Sequence, residues 1–164
     1  MEKENMHIAV SGNIGAGKTT LTKMLAKHYS WQPDLEDVEN NPYLADFYAD
    51  MHKWSFHLQV YFLNSRFEQI NKVRSGNKTV IQDRTIYEDA YIFAKSLYKQ
   101  GYFKERDYES YKTLFDSMIK FVQPPDLLIY LKSDIGKLVQ NIEIRGRDYE
   151  NAIRIDYLKG LNQH

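Results

Sequence analysis

The chain has 164 residues, 43% of them hydrophobic, which is one domain by length and enough for a single buried core. Lysine plus arginine balances aspartate plus glutamate at 22 each, so net charge points to neither a nucleic-acid polymer nor a membrane surface, and the lack of cysteine removes disulfides and thiolate metal sites. Met1 to His7 is charged and has no apolar stretch of a secretory signal, and no later run approaches a membrane span, so a soluble cytoplasmic protein is expected.

The first predicted strand is His7 to Ser11, and it runs into Gly12-Asn13-Ile14-Gly15-Ala16-Gly17-Lys18-Thr19, a G-x-x-x-x-G-K-S/T sequence. Glycines let such a backbone curl until its N–H groups face phosphate oxygens, while Lys18 adds a positive charge and the Thr19 hydroxyl can hold magnesium. The predicted helix Thr19 to Tyr29, with Thr20 in its first turn, aims its positive end at the same anion. This strand-turn-helix context reads as a nucleoside-triphosphate site.

Pro33 to Asp37 is the second predicted strand and carries Leu35-Glu36-Asp37-Val38 at its end. Ligands in open α/β sheets sit outside the carboxyl ends of strands, so Glu36 is a candidate proton acceptor for an alcohol attacking phosphate. The alternative is that Glu36, Asp37 and Glu39 are only a solvated acidic loop. A long helical pattern follows from Pro42 to Val73. Within it Gln59 and Arg66 are seven residues apart, so both emerge on one face among aromatics and can read the edge of a flat base. An amphipathic core helix with polar residues at its rim is the other reading.

Thr79 to Gln82 is the third strand, followed by Asp83-Arg84-Thr85. Asp83 can coordinate magnesium or take a proton, and Arg84 can hold the oxygens between donor and acceptor; a surface salt bridge is the alternative. Helices are predicted over Tyr87 to Gln100 and Asp107 to Val122, where Pro124-Pro125 stops the pattern before the strand Leu127 to Leu131. The helix Asp134 to Arg145 leads into Arg145-Gly146-Arg147, either a flap closing on phosphate or a basic cluster at the helix end. Ile153 to His164 reads as another helix opening without a cap or a strand after it, so the chain is expected to lack its carboxyl-terminal strand and last helix. Short apolar strands alternating with helices predict an α/β fold with a parallel sheet flanked by helices.

Taken together, the phosphate loop, Glu36, Trp54 to Arg66 with Gln59, Asp83-Arg84-Thr85, Glu88-Asp89, Tyr91-Ile92-Phe93-Ala94, Arg145-Gly146-Arg147 and Glu150 resemble the deoxynucleoside kinases of the deoxycytidine, deoxyguanosine and deoxyadenosine kinase group. The resemblance implies a P-loop kinase fold in one domain, with strand order 2-3-1-4-5 and an arginine-bearing lid. It implies transfer of the ATP γ-phosphate, with magnesium, to the 5′-hydroxyl of a 2′-deoxynucleoside in nucleotide salvage. By the same resemblance Glu36 or Asp83 takes the proton, Thr19 and Asp83 hold magnesium, and Lys18, Arg84 and Arg147 act on the phosphate. Gly12 to Thr20 with Arg145 and Arg147 would hold ATP. Tyr48 and Glu150 would hold the sugar 3′-hydroxyl, Gln59, Arg66 and Asp89 would read the base, Phe93 would stack on it, and Leu44 and Phe47 would line its pocket.

The family pairs through helices, which suggests a homodimer using Tyr87 to Gln100 and Ile153 to Leu161. Asp89 can accept from amino groups of adenine, guanine or cytosine, so these deoxynucleosides are expected over thymidine, with a mild leaning to purines by resemblance. Two positions depart from the family: Asp37 replaces a proline common after the catalytic glutamate, and Asn141 replaces an arginine of the lid, which would weaken the donor contact. A thymidylate-like nucleoside monophosphate kinase and a non-catalytic nucleotide switch are the competing readings. The first needs cations and no base at its acceptor; the second needs neither a base-reading wall nor a second lid arginine.

Overall fold

His7–Gly12 forms β1, in which every residue is buried. A strand so enclosed must be covered on both faces, and its apolar run without alternation fits the middle of a parallel sheet. The computed structural model, which describes residues 5–146 and 155–162, places it there. β1 pairs in parallel with β3 (Val80–Asp83) on one side and β4 (Leu127–Leu131) on the other, and β2 (Gln32–Asp34) pairs with β3. The resulting order, β2-β3-β1-β4, is that of the expected sheet, whose fifth strand has no counterpart among the described residues.

Helix α1 (Lys18–Tyr29) covers one face through a small cluster of Ile8, Val10, Ala26 and Ile81. The other face carries the larger core. There α2 (Leu44–Ala49), α3 (Met51–Ser75), α4 (Ile86–Glu88), a π-helical segment (Asp89–Ala94), α5 (Lys95–Lys99), α6 (Glu105–Ile119) and α8 (Ile155–Asn162) contribute Phe47, Leu63, Ile86, Leu97, Phe115 and Tyr157. Helix α7 (Ile135–Arg145) buries Leu138 and Ile142, and Asp134 caps it by accepting from the Lys137 amide at 2.8 Å. No described helix is long and apolar enough to cross a membrane.

Several boundaries differ from the sequence reading. The second strand spans Gln32–Asp34 rather than Pro33 to Asp37, so Glu36 sits on the loop beyond the strand. The single helix expected from Pro42 to Val73 is two, because Asp50 leaves helical geometry (φ −148, ψ 88) and accepts from the Lys53 amide as the cap of α3. Apolar periodicity runs through that break, which hid it. The helix expected over Tyr87 to Gln100 starts one residue earlier and widens at Asp89–Ala94 into i→i+5 hydrogen bonding. β4 is not a covered strand: Leu127, Leu128 and Tyr130 are 46%, 56% and 55% exposed. It is the outermost strand of the described sheet, with a neighbour on one edge alone. The apolar face of α8, expected to be available for pairing, is buried in this chain's own core through Tyr157, Leu158 and Leu161.

Candidate active site

β1 and β3 end side by side, with Val10 opposite Asp83, and this register sets the site. From β1 the chain enters the phosphate loop, where Gly12, Gly15 and Gly17 all have positive φ. At Gly12 and Gly15 glycine is required twice over, since an added Cβ would lie 2.6 Å from the Leu131 carbonyl or 2.8 Å from that of Leu138. The loop is braced from outside: Asn141 on α7 donates to the Gly15 carbonyl at 2.7 Å, and Asn13 donates to that of Leu158 on α8 at 3.1 Å. Asn141, where a lid arginine was looked for, thus holds the loop itself. Ile14 is buried and donates its amide to the Asn13 side chain, while Ala16 closes the turn onto the Asn13 carbonyl.

Lys18 is 7% exposed and donates to the Asn13 carbonyl at 2.8 Å, reaching back across the loop. Burial, with the Arg84 guanidinium adding to it, pulls its pKa down to about 7 against the opposing pull of Glu88, Asp83 and Glu36. Next to it the Thr19 hydroxyl donates to Asp83 Oδ2 at 2.5 Å, while Asp83 Oδ1 is buried without a hydrogen-bond partner. A hydroxyl and a carboxylate with a spare oxygen, at the mouth of a phosphate loop, fit a magnesium ion that takes its other ligands from phosphate and water.

Beyond β3 the chain turns through Arg84, a non-glycine residue at φ 73 whose amide donates to the Val10 carbonyl at 2.8 Å. Its guanidinium lies 4.1 Å from the Phe93 ring centre and 2.6 Å from Glu88 Oε1. Thr85 caps the following helix by accepting from the Glu88 amide at 3.0 Å. The π-helical segment then places both Asp89 and Phe93 at the cleft wall.

A cleft of about 870 Å³ joins these parts. Gly15, Gly17, Lys18, Thr19 and Thr20 line one end together with Arg145. Glu36, Leu44, Phe47, Tyr48, Gln59, Asp83, Arg84, Asp89 and Phe93 line the rest. Gln59 is buried, and its Oε1 has no hydrogen-bond partner. Arg66 does not line the cleft but stands one layer behind it, with Nε 3.1 Å from Asp89 Oδ2 and NH2 3.5 Å from Glu36 Oε1. Burial pushes the Asp89 carboxyl up, while Arg66 and Arg84 pull it back. Arg147 and Glu150 lie outside the described residues.

Sequence reading passed over the scaffold behind Arg66. Its NH1 donates to Gln69 Oε1 at 3.2 Å, Gln69 also takes a bond from Gln82 at 3.3 Å, and Gln82 Oε1 meets His7 Nε2 at 2.8 Å. Gln69 in turn donates to Asp34 at 3.2 Å. The face of β1 and β3 toward α3 is therefore partly polar, and alternation within such short strands is too brief to reveal it. Tyr157 of α8 lines the cleft as well, and no local signal marked it.

The chain is similar to known proteins over nearly all of its length. The family model described as deoxynucleoside kinase matches residues 8–164. A deoxyadenosine/deoxycytidine kinase of Bacillus subtilis (strain 168) is 44% identical over 149 residues, 90% of this chain and 69% of that protein. A deoxyadenosine kinase of Dictyostelium discoideum is 44% identical over 158 residues, 96% of this chain and 64% of that protein, so the chain spans about two thirds of the length of these relatives. The structure of the M. mycoides deoxyadenosine kinase with products dCMP and a flexible dCDP superposes with a TM-score of 0.89 at 32% identity, over 96% of this chain and 80% of that one. The same enzyme with bound dATP gives 0.87.

The lowered pKa of Lys18 has a measurable consequence. The unfolded chain, with lysine near 10.5, holds a proton that the folded protein releases above about 7, so this residue makes folding more favourable as pH rises across that window. A triphosphate bound beside Lys18 would reverse the shift. Binding of ATP at roughly pH 8.5 is expected to take up about 1 proton, fading below the Lys18 pKa, as read by calorimetry in buffers of different ionisation enthalpy. Buffer-independent heats would contradict it.

Proposed function

We propose, on the premise that this chain belongs to the deoxynucleoside kinase family, that it transfers the γ-phosphate of ATP to the 5′-hydroxyl of a 2′-deoxynucleoside. The observation that carries this reading is the continuity of one cleft from the phosphate loop to the buried amide and carboxylate of Gln59 and Asp89. Gly12 to Thr20 hold the donor phosphates, with Lys18 charged once they arrive and Arg145 and Arg147 closing from the lid. Magnesium, held by Thr19 and Asp83, would neutralise charge developing on the transferring phosphoryl group.

Glu36, with Arg66 3.5 Å away, accepts the proton of the 5′-hydroxyl, and Arg84 stabilises the oxygens between donor and acceptor. Tyr48 with Glu150 holds the sugar, Leu44, Phe47 and Phe93 enclose the base, and Gln59 and Asp89 read its edge with Arg66 fixing Asp89. An acceptor already bearing a phosphate would need cations, and no base, where Glu36 stands, which disfavours a nucleoside monophosphate kinase. The described chain acts as one domain, in the cytoplasm, and as a homodimer. For pairing it offers Tyr91, Leu114 and Phe121, which are 57%, 42% and 78% exposed.

Glu36→Gln should lower kcat by about 10²- to 10⁴-fold, the usual worth of a general base, with little change in deoxynucleoside affinity. Turnover near that of the unmodified protein would transfer the role to Asp83. On the base, Asp89 can accept from amino groups of adenine, cytosine or guanine, whereas thymine puts a carbonyl where cytosine has its amino group. The unpaired contact disfavours thymidine by roughly 1–3 kcal/mol, tenfold to over a hundredfold in kcat/KM. Arg66→Met together with Asp89→Ala is expected to raise thymidine activity relative to deoxyadenosine; an unchanged ratio would refute the assigned base pocket. Light scattering at micromolar concentration should give the mass of a dimer, and a monomer mass would overturn the pairing.

A further inference from the structure

Thr85-Ile86-Tyr87-Glu88 has the spacing of a capping box, in which the glutamate would turn back to the helix-cap amide. Thr85 does its half by capping the helix, but the Glu88 carboxylate points elsewhere. It is 4% exposed, its Oε2 accepts from the Gly12 amide at 3.0 Å, and its Oε1 accepts from Arg84 NH1 at 2.6 Å. One side chain thereby joins the first amide of the phosphate loop to the guanidinium at the acceptor end of the cleft. We propose that Glu88 is a positioning residue for phosphoryl transfer, fixing Arg84 relative to the donor phosphates; this rests on the kinase reading above.

The reason lies in the competition around Arg84. Its guanidinium is buried and feels Asp83, Asp89 and Glu36 as well as Glu88. A free arginine in that company would swing to whichever carboxylate it could reach, closing the spare oxygen of Asp83 or the base-reading face of Asp89. The short contact to Glu88, with the Phe93 ring beneath, holds it away from both. The carboxylate is also the one group of this size that suits its two neighbours. Both are donors, and glutamine, with one acceptor oxygen and an amide NH₂, must turn a donor against one of them. Burial pushes the Glu88 carboxyl up, and Arg84, Lys18 and the Gly12 amide pull it back toward the charged form the pair needs.

A double-mutant cycle with Arg84 separates positioning from mere support of the fold. Glu88→Gln alone is expected to lower kcat by about tenfold to a hundredfold, the usual effect of a misplaced group, with the deoxynucleoside KM nearly unchanged. In an Arg84→Met background the same change should cost almost nothing further, because the residue it positions is gone. Equal losses in both backgrounds, or full kcat for Glu88→Gln, would overturn the proposal. Should Glu88→Gln fold poorly by its thermal midpoint, Glu88→Asp, one methylene too short to span both partners, goes through the same cycle with the same criterion. If the unmodified protein transfers no phosphate to any deoxynucleoside, the kinase reading fails and the Glu88 role falls with it. If it does transfer and the losses multiply, the Glu88 role alone fails.

Discussion

Buried charge is the constraint on which this structure turns. Lys18, Arg66, Arg84, Asp83, Glu88 and Asp89 are all nearly inaccessible to solvent, and Glu36 is only a fifth exposed. A charge taken out of water costs several kcal/mol unless it is paired and hydrogen-bonded. Pairing here is specific. Arg66 takes Asp89 and Glu36, Arg84 takes Glu88, and Asp83 takes the Thr19 hydroxyl. Lys18 has a backbone carbonyl, and burial drives it toward its neutral form. Its ammonium is bonded to a carbonyl while burial disfavours its charge, which would suit a residue whose anionic partner arrives with the donor nucleotide.

The fold exists to bring those charges together and to keep them from collapsing onto one another. Parallel pairing of β1 with β3 sets the phosphate loop beside Asp83 and Arg84. Helix α3 carries Gln59 and Arg66 on its inner side, and the chain of Gln69, Gln82 and His7 fastens Arg66 to the sheet. A polar layer between helix and sheet stabilises less than an apolar one of equal volume. It gives Arg66 one orientation in return, and through Arg66 fixes the Asp89 carboxylate at the cleft wall.

How much was legible in the sequence follows from how local each signal is. The phosphate loop is contiguous and each of its residues has its own chemical reason, so motif and geometry agree from Gly12 to Thr19. The strands other than β2 were also readable as short apolar runs between helices, while the sheet order came from the family resemblance rather than from the pattern itself. The break at Asp50 was not, since apolar periodicity continues on either side of the cap. Arg66 was read as a residue at the pocket surface, yet spacing along a helix cannot tell a lining side chain from one a layer behind. Glu88 illustrates a different limit: the sequence marked it only as part of the family pattern, and nothing local ties it to Gly12, 76 residues away, which the fold alone brings within hydrogen-bond reach.

The account stands on what accepts the phosphate. ATP supplied with each of the four common deoxynucleosides, and separately with their 5′-monophosphates, gives initial rates that decide it. The account predicts 5′-monophosphates formed from deoxyadenosine, deoxyguanosine or deoxycytidine, a slower reaction with thymidine, and no diphosphates from the monophosphates. Transfer confined to monophosphates, or ATP hydrolysis that no nucleoside alters, would contradict it.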